Sequence, residues 1–271
     1  MMRFIRHSTL LLLNLLWLIP LYFVLINAAT PSESYGRRPP WTLPVDFGLW
    51  ENLVAAWRAA DFGQSVASTL LYGVVGAGAA VFIAALASFA IVGLRVRQGF
   101  LWFMLIYVGT IFPFQMYLAP LFSAYAVTNL YDTRLGLLLI YTAITVPFAV
   151  FVIRNHFTTI PRELPEAARL DGASSWIVFW RIYMPLSFNA LAAVFVFQFT
   201  FIWNDLLFGL VLSRSVEVRP IMTALATLQG GQYGSVTVPV ILAGALIVSV
   251  PTLVLFFTVQ RLFVAGLRAT S

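Results

Sequence analysis

The side chains that most often perform chemistry are scarce in this 271-residue chain. There is no Cys, and the only histidines are His7 and His156. Disulfides, thiolate metal sites and cysteine nucleophiles are thereby excluded, and two isolated imidazoles do not make a His-rich metal centre. All sixteen basic residues are Arg. A P-loop needs a Lys that reaches the β/γ-phosphates, so the chain cannot hydrolyse ATP by that route. No catalytic residue, no metal site and no cofactor in this chain are expected. The densest group of ionisable residues lies between Arg154 and Arg181, with Arg162, Glu163, Glu166, Arg169 and Asp171 among them.

The elements that hold these residues are set by composition. Hydrophobic residues make up 61% of the chain and charged residues 10%, against about 25% charged in a soluble domain. Such a chain cannot present a charged shell to water, which excludes an ordinary cytosolic enzyme, a disordered protein and a DNA-binding domain. The net charge of +6 then reports membrane topology and not a nucleic-acid partner. Six charge-free runs reach 18 residues or more: 8–32, 62–94, 98–131, 135–153, 182–204 and 221–260. A hydrocarbon core of ~30 Å takes roughly 20 helical residues to cross, and backbone groups in lipid must be satisfied within the segment. Each run is therefore expected to span once as a helix. Pro113, Pro120, Pro147 and Pro251 are expected to kink these spans and not to end them. In the last run the polar, glycine-rich stretch 229–234 reads as loop, leaving a short stub before a span at about 238–264.

Arginine asymmetry orients the spans. With the N-terminus inside, ten Arg face three carboxylates on the inner segments, and six face seven on the outer ones. The expected fold class is an all-α polytopic membrane protein with six transmembrane helices, both ends inside. Arg3, Arg6, the apolar stretch 10–26 and Asn27-Ala28-Ala29 have the order of a secretory signal. The stretch is long for one and five spans follow, so it is read as the first span. Residues 1–65 form that helix and an external loop, and 66–271 the remaining transmembrane domain.

No Asp, Glu, Arg or His lies deep in an assigned span. Ion-coupled carriers generally need such groups at mid-membrane, so the energy for any transport is expected to come from elsewhere. Uncharged polar residues occur within spans, among them Asn14, Gln115, Asn189, Gln198 and Thr200. Each reads either as part of a path for a polar, neutral solute or as ordinary helix–helix bonding. The small residues Gly76, Gly78, Ala79, Ala80, Ala84 and Ala85 allow close helix packing.

The inner segment 154–181 has a readable local geometry. Pro165 suits the first turn of a helix, Glu166 gains from the helix N-terminus, and Arg162 and Arg169 are spaced to pair with it. Gly172 can take the left-handed conformation that stops a helix, and Ser174 or Ser175 can cap the next one. Two short helices joined by a sharp turn are expected, leading through Pro185 into the next span. By geometry alone this is an interfacial amphipathic elbow.

The residues of that elbow carry a resemblance. Glu166-Ala167-Ala168, then Asp171-Gly172-Ala173, Phe179, Ile182 and Pro185 resemble the "EAA" signature of ATP-binding-cassette importer permeases, with Met184 where that family usually has Leu. Phe201-Ile202-Trp203-Asn204-Asp205, the loop Gly230-Gly231-Gln232-Tyr233-Gly234 and Val264-Ala265-Gly266-Leu267 are similar to the smaller permease of maltose-type sugar importers. The ending Arg268-Ala269-Thr270-Ser271 departs from that group's basic close.

The resemblance implies a type I importer permease fold, with the signature loop at about 161–185 facing the cytoplasm. It implies that the chain is no enzyme but the transmembrane subunit of an ATP-driven importer for a carbohydrate or carbohydrate-derived solute in the bacterial inner membrane. The implied partners are a sibling permease, two ATPase subunits holding ATP and Mg, an external solute-binding protein and the lipid bilayer, with no nucleic acid. Coupling to the ATPases would fall to Glu166, Ala167, Ala168, Asp171, Gly172, Ala173, Phe179 and Pro185. Contact with the binding protein would fall to Gln229, Gly230, Gly231, Gln232 and Tyr233. Gln115, Asn189, Gln198, Trp203 and Asn204 are candidates for the translocation path, with Trp203 reading equally as an interfacial anchor. A cassette permease for a non-sugar solute and an ion-coupled secondary carrier are the alternatives.

Overall fold

The computed structural model describes residues 2–229 and 236–268, and the side chains of 6–229 and 236–258. All regular structure among them is helical. In chain order the helices are α1 (Met2–Ala28), α2 (Leu49–Ala59), α3 (Phe62–Leu71), α4 (Ala77–Val92), α5 (Gly99–Val108), α6 (Leu118–Val127), α7 (Arg134–Phe157), α8 (Glu163–Leu170), α9 (Ser175–Val178), α10 (Met184–Leu186), α11 (Phe188–Trp203), α12 (Leu207–Leu212), α13 (Ile221–Gln229) and α14 (Val238–Arg268). Short π-helical turns, Tyr72–Gly76 and Phe179–Tyr183, join α3 to α4 and α9 to α10.

Two compact units divide the chain. The first comprises Met1–Gly63 and Ala224–Val250. In it α1 exposes nearly its whole apolar surface, Leu11 and Trp17 included, as a lipid-facing span must. Asn14 satisfies its amide on the Leu10 carbonyl at 2.8 Å, so it needs no partner span. The irregular segment after α1 is closed by the buried Asn52, whose amide donates to the carbonyls of Ala28 (2.9 Å) and Thr30 (2.8 Å). Arg38 adds bonds to Thr30 and Thr42.

The second unit, Gln64–Thr223 with Pro251–Ser271, holds the main core. Ala77, Ala80, Ala84 and Ala85 put a wholly buried stripe of small side chains on α4. Against it pack Ala149, Val150, Ile153 and Phe157 of α7, and Leu191 and Val194 of α11. Methyl-sized side chains let helix backbones approach closely, which is how helices attract where no water is expelled. At Gly73 a Cβ would lie 2.7 Å from the Phe199 ring.

Four helical stretches are long and apolar enough to cross a membrane, and a fifth joins Ser175–Leu186 to Phe188–Trp203 across a 75° bend. One expectation needs correction. The run 98–131 is not one kinked helix: α5 stops at Val108, and the chain resumes as a 3-10 turn, Phe114–Tyr117, before α6. Proline disfavours helical backbone in the residue before it, and Pro113 there also supplies no N–H. Pro120, Pro147 and Pro251 sit inside continuous helices. The stub at Ile221–Gln229 is a helix of its own, α13.

Candidate functional site

The helix α8 and the turn after it form the first site. Arg162 precedes α8 and Pro165 is buried in its first turn. Gly172 then takes φ +83° with nothing within 4 Å of an added Cβ, so the turn demands a conformation and not a small volume. The Ser174 hydroxyl accepts from the Ile177 amide at 3.3 Å and caps α9, as such residues do at helix starts.

The outer face of α8 is open. Ala167, Asp171 and Gly172 are exposed, and Leu170 is 90% exposed. An exposed leucine at a helix tip has no role in the fold of this chain. The inner face is tied to the spans. Ala168 and Ala173 pack against the core of the second unit, and Phe179 is wholly buried in it. The Phe179 ring lies 5.2 Å from that of Phe89 and 5.6 Å from that of Trp176. Tyr183 packs at 5.0 Å on Phe89 and 4.9 Å on Phe157. Aromatic contacts at these distances fix orientation as well as burying area. Pro185, in α10, is exposed.

Glu166 does not pair with Arg162 or Arg169. Its carboxylate accepts from Arg95 at 2.7 Å, and Arg169 donates to the Gly93 carbonyl at 2.6 Å. Both partners belong to the tight turn between α4 and α5, where Arg95 and Gln98 adopt positive φ. That turn presents a cation and a free helix-end carbonyl to α8. Tertiary partners of this kind outcompete i±3 and i±4 pairs, which contribute only ~0.2–0.5 kcal/mol. The sequence signal was available: Arg95 lies on the same inner side as Glu166 and has the opposite charge.

The five path candidates do not form one site. Gln198 is 4% exposed and donates to the Thr145 carbonyl at 3.1 Å. It lines a cavity of about 320 Å³ with Phe112, Phe114, Tyr117, Phe148, Phe197 and Phe201. Gln115 is exposed in the adjoining 3-10 turn, Asn189 is exposed at the start of α11, and Asn204 returns its amide to the Thr200 carbonyl at 2.8 Å. Trp203 differs from both expectations. It is completely buried, stacked at 5.8 Å on Phe199, and so faces neither a solute path nor the membrane interface. The cavity's aromatic wall escaped the sequence reading, although Phe197 and Phe201 are four apart on α11 and Ile144 and Phe148 four apart on α7.

Asp205, counted with the external charges by sequence, is buried. Its carboxylate accepts from the Tyr141 hydroxyl at 2.8 Å and the Gly209 amide at 3.2 Å. Burial pushes its carboxyl above the usual range, and the Tyr141 hydroxyl and the amides of Gly209, Phe208 and Leu207 oppose that shift. It therefore ties α7 to the start of α12. Of the external-loop candidates, Gln229 is the exposed last residue of α13. Gly230, Gly231, Gln232 and Tyr233 lie outside the described residues.

A polytopic helical membrane protein with a surface elbow packed on its core and few ionisable groups in its spans is the class these features define. Residues 64–269 match the family described as the binding-protein-dependent transport system inner membrane component. The osmoprotective compounds uptake permease protein GgtD of Synechocystis sp. is 31% identical, over 98% of this chain and 90% of the relative. The sn-glycerol-3-phosphate transport system permease protein UgpE of Yersinia pestis is 30% identical, over 96% and 94%. The alpha-glucoside transport system permease protein AglG of Rhizobium meliloti is 34% identical, over 92% and 67%. A chain from the crystal structure of a bacterial ABC transporter involved in the import of the acidic polysaccharide alginate superposes with a TM-score of 0.79, at 23% identity, over 96% of this chain and 95% of that one. The chain belongs to the binding-protein-dependent transport system inner membrane component family. It is a multi-pass inner-membrane permease, the membrane subunit of a transport system that works with a binding protein.

Proposed function

We propose that this chain moves a carbohydrate or carbohydrate-derived solute across the membrane in an ATP-driven importer. It would pair with a sibling permease, with two ATPase subunits that carry ATP and Mg, and take solute from an external binding protein. Six spans with both ends in the cytoplasm accommodate this, α5 and α6 together supplying the broken span. Among relatives at 30% identity or more, the names specify α-glucosides, sn-glycerol-3-phosphate and osmoprotective compounds, and the first two support the solute class.

The observation that carries the coupling role is the two-sidedness of α8. One face offers Leu170, Ala167 and Asp171 to a partner, the other is tied to the α4–α5 turn through Arg95 and Gly93, and the elbow after it is anchored in the core by Phe179. A ligand or partner can shift a two-state protein only by its differential contact with the two states. A helix wedged into a closing ATPase and rigidly joined to the spans supplies such a difference. The cavity around Gln198, mostly aromatic with one amide, has the make-up of a small-molecule site. Gln229 and the loop after it would meet the binding protein. The test is uptake of labelled solute by proteoliposomes. Uptake is expected only with the ATPase subunits, ATP and loaded binding protein present. Uptake by the chain alone would overturn the reading.

A further inference from the structure

A second cavity, of about 400 Å³, lies behind α8. Its wall is built from the α4–α5 turn, the end of α7, the start of α8 and Tyr183. Four arginines line it, Arg95, Arg154, Arg162 and Arg169, and no Asp or Glu does. Glu166 engages Arg95 in the one ion pair among the described residues, and Arg169 is held by a neutral carbonyl. Arg154 stacks its guanidinium 4.9 Å above the Phe103 ring and gives one bond to Asn155 at 3.1 Å. Its Nε is buried with no partner. Clustered guanidiniums repel one another, and a buried donor left unpaired costs free energy. One carboxylate among four cations leaves most of that charge unanswered.

The lining of the cavity is not wholly cationic. Val96 and Phe100 line it, and Phe100 is 68% exposed. Leu101 and Trp102 continue the exposed apolar surface along α5. Cationic lining next to exposed apolar side chains of α5 matches a molecule with an anionic head and an acyl body.

We propose that this cavity binds the phosphate group of an anionic phospholipid, with Arg154 and Arg162 as its principal ligands. Guanidinium forks suit phosphate oxygens, and basic pockets beside spans are where anionic headgroups lodge. Occupancy would stitch the α4–α5 turn, the end of α7 and α8 together at one point. The binding claim holds whatever solute the chain carries.

The test uses the full-length chain purified in neutral detergent, titrated by native mass spectrometry with short-chain phosphatidylglycerol, phosphatidylcholine or inorganic phosphate. Phosphatidylglycerol is expected to bind well ahead of phosphatidylcholine. Arg162→Gln and Arg154→Gln should each weaken it about fivefold, while Arg162→Lys retains most binding and the distant Arg214→Gln retains all of it. Arg162 is exposed and its side chain bonds no other described residue, so its variants separate lost binding from lost folding. Equal binding of the two lipids, or an unchanged affinity in Arg162→Gln, overturns the proposal. Inorganic phosphate binding as tightly as phosphatidylglycerol would assign the cavity to a soluble anion and overturn the lipid.

Discussion

Glu166 and Arg95 meet at 2.7 Å with each side chain about half exposed. An ion pair in that setting contributes only ~0–1 kcal/mol to stability, so its value lies in holding α8 to the turn before α5. Glu166→Lys should therefore leave the thermal midpoint within about 4 °C of wild type while lowering solute uptake about tenfold or more through lost coupling. Solute capture by the binding protein should be intact. Exchanging the charges, Arg95→Glu with Glu166→Arg, should restore much of the uptake if the brace is what matters. Asp205 is the opposite case. Asp205→Ala strands the buried Tyr141 hydroxyl and should destabilise the protein by about 1–3 kcal/mol, whereas the exposed Asp171→Ala should change thermal unfolding by no more than ~0.5 kcal/mol. At this scale the sequence is informative about neighbours along the chain and silent about distant ones. The position of Glu166 near a helix start is legible because it depends on five or six residues. Its partner is 71 residues away, and only the fold decides between Arg95 and the nearer arginines. Trp203 shows the same limit, since an aromatic at a span's end looks alike whether it points in or out.

Helices α8 and α9 follow from a local code: Pro165 in the first turn, Gly172 at positive φ, Ser174 as cap. Because nothing crowds Gly172, its substitution costs only backbone energy, roughly 1–2 kcal/mol for a side chain forced into the left-handed region. Gly172→Val should accordingly redirect the elbow and reduce uptake with little effect on global unfolding, and Gly172→Asn, which tolerates that conformation, should transport nearly normally. Packing between α4 and α7 answers to a different rule. Ala84→Leu inserts three heavy atoms into a wholly buried seam and should cost about 1–3 kcal/mol, read as a lowered unfolding midpoint in detergent. The alanine stripe that makes this seam is visible in the sequence. The break at 109–113 is not, because prolines in spans are compatible with both kinks and stops. Pro147 and Pro251 continue their helices while Pro113 does not, and the helix ends at Val108 with Gly109 set against the Pro147 ring, a Cβ there lying 3.2 Å from it.

For the molecule as a whole, composition alone settles the class: a chain with 10% charged residues and apolar runs of membrane-crossing length cannot be anything but membrane-embedded. Charge bookkeeping also isolates the elbow as the densest group of ionisable residues. What it does not reveal is the pair of cavities, since each is assembled from helices far apart in sequence. One gathers Phe112, Phe148 and Phe201, and the other Arg95, Arg154 and Arg162. The proposed coupling requires an ATPase subunit to grip the chain at the open face of α8. The absence of Cys makes this directly measurable, because Leu170→Cys in the assembled transporter offers this chain's single thiol for cross-linking. A short thiol-reactive cross-linker should join Leu170→Cys to an ATPase subunit in high yield, with a yield that changes on adding ATP, and should not do so from Leu210→Cys on α12. No ATPase adduct from Leu170→Cys in an intact, transporting complex would contradict the coupling role of α8.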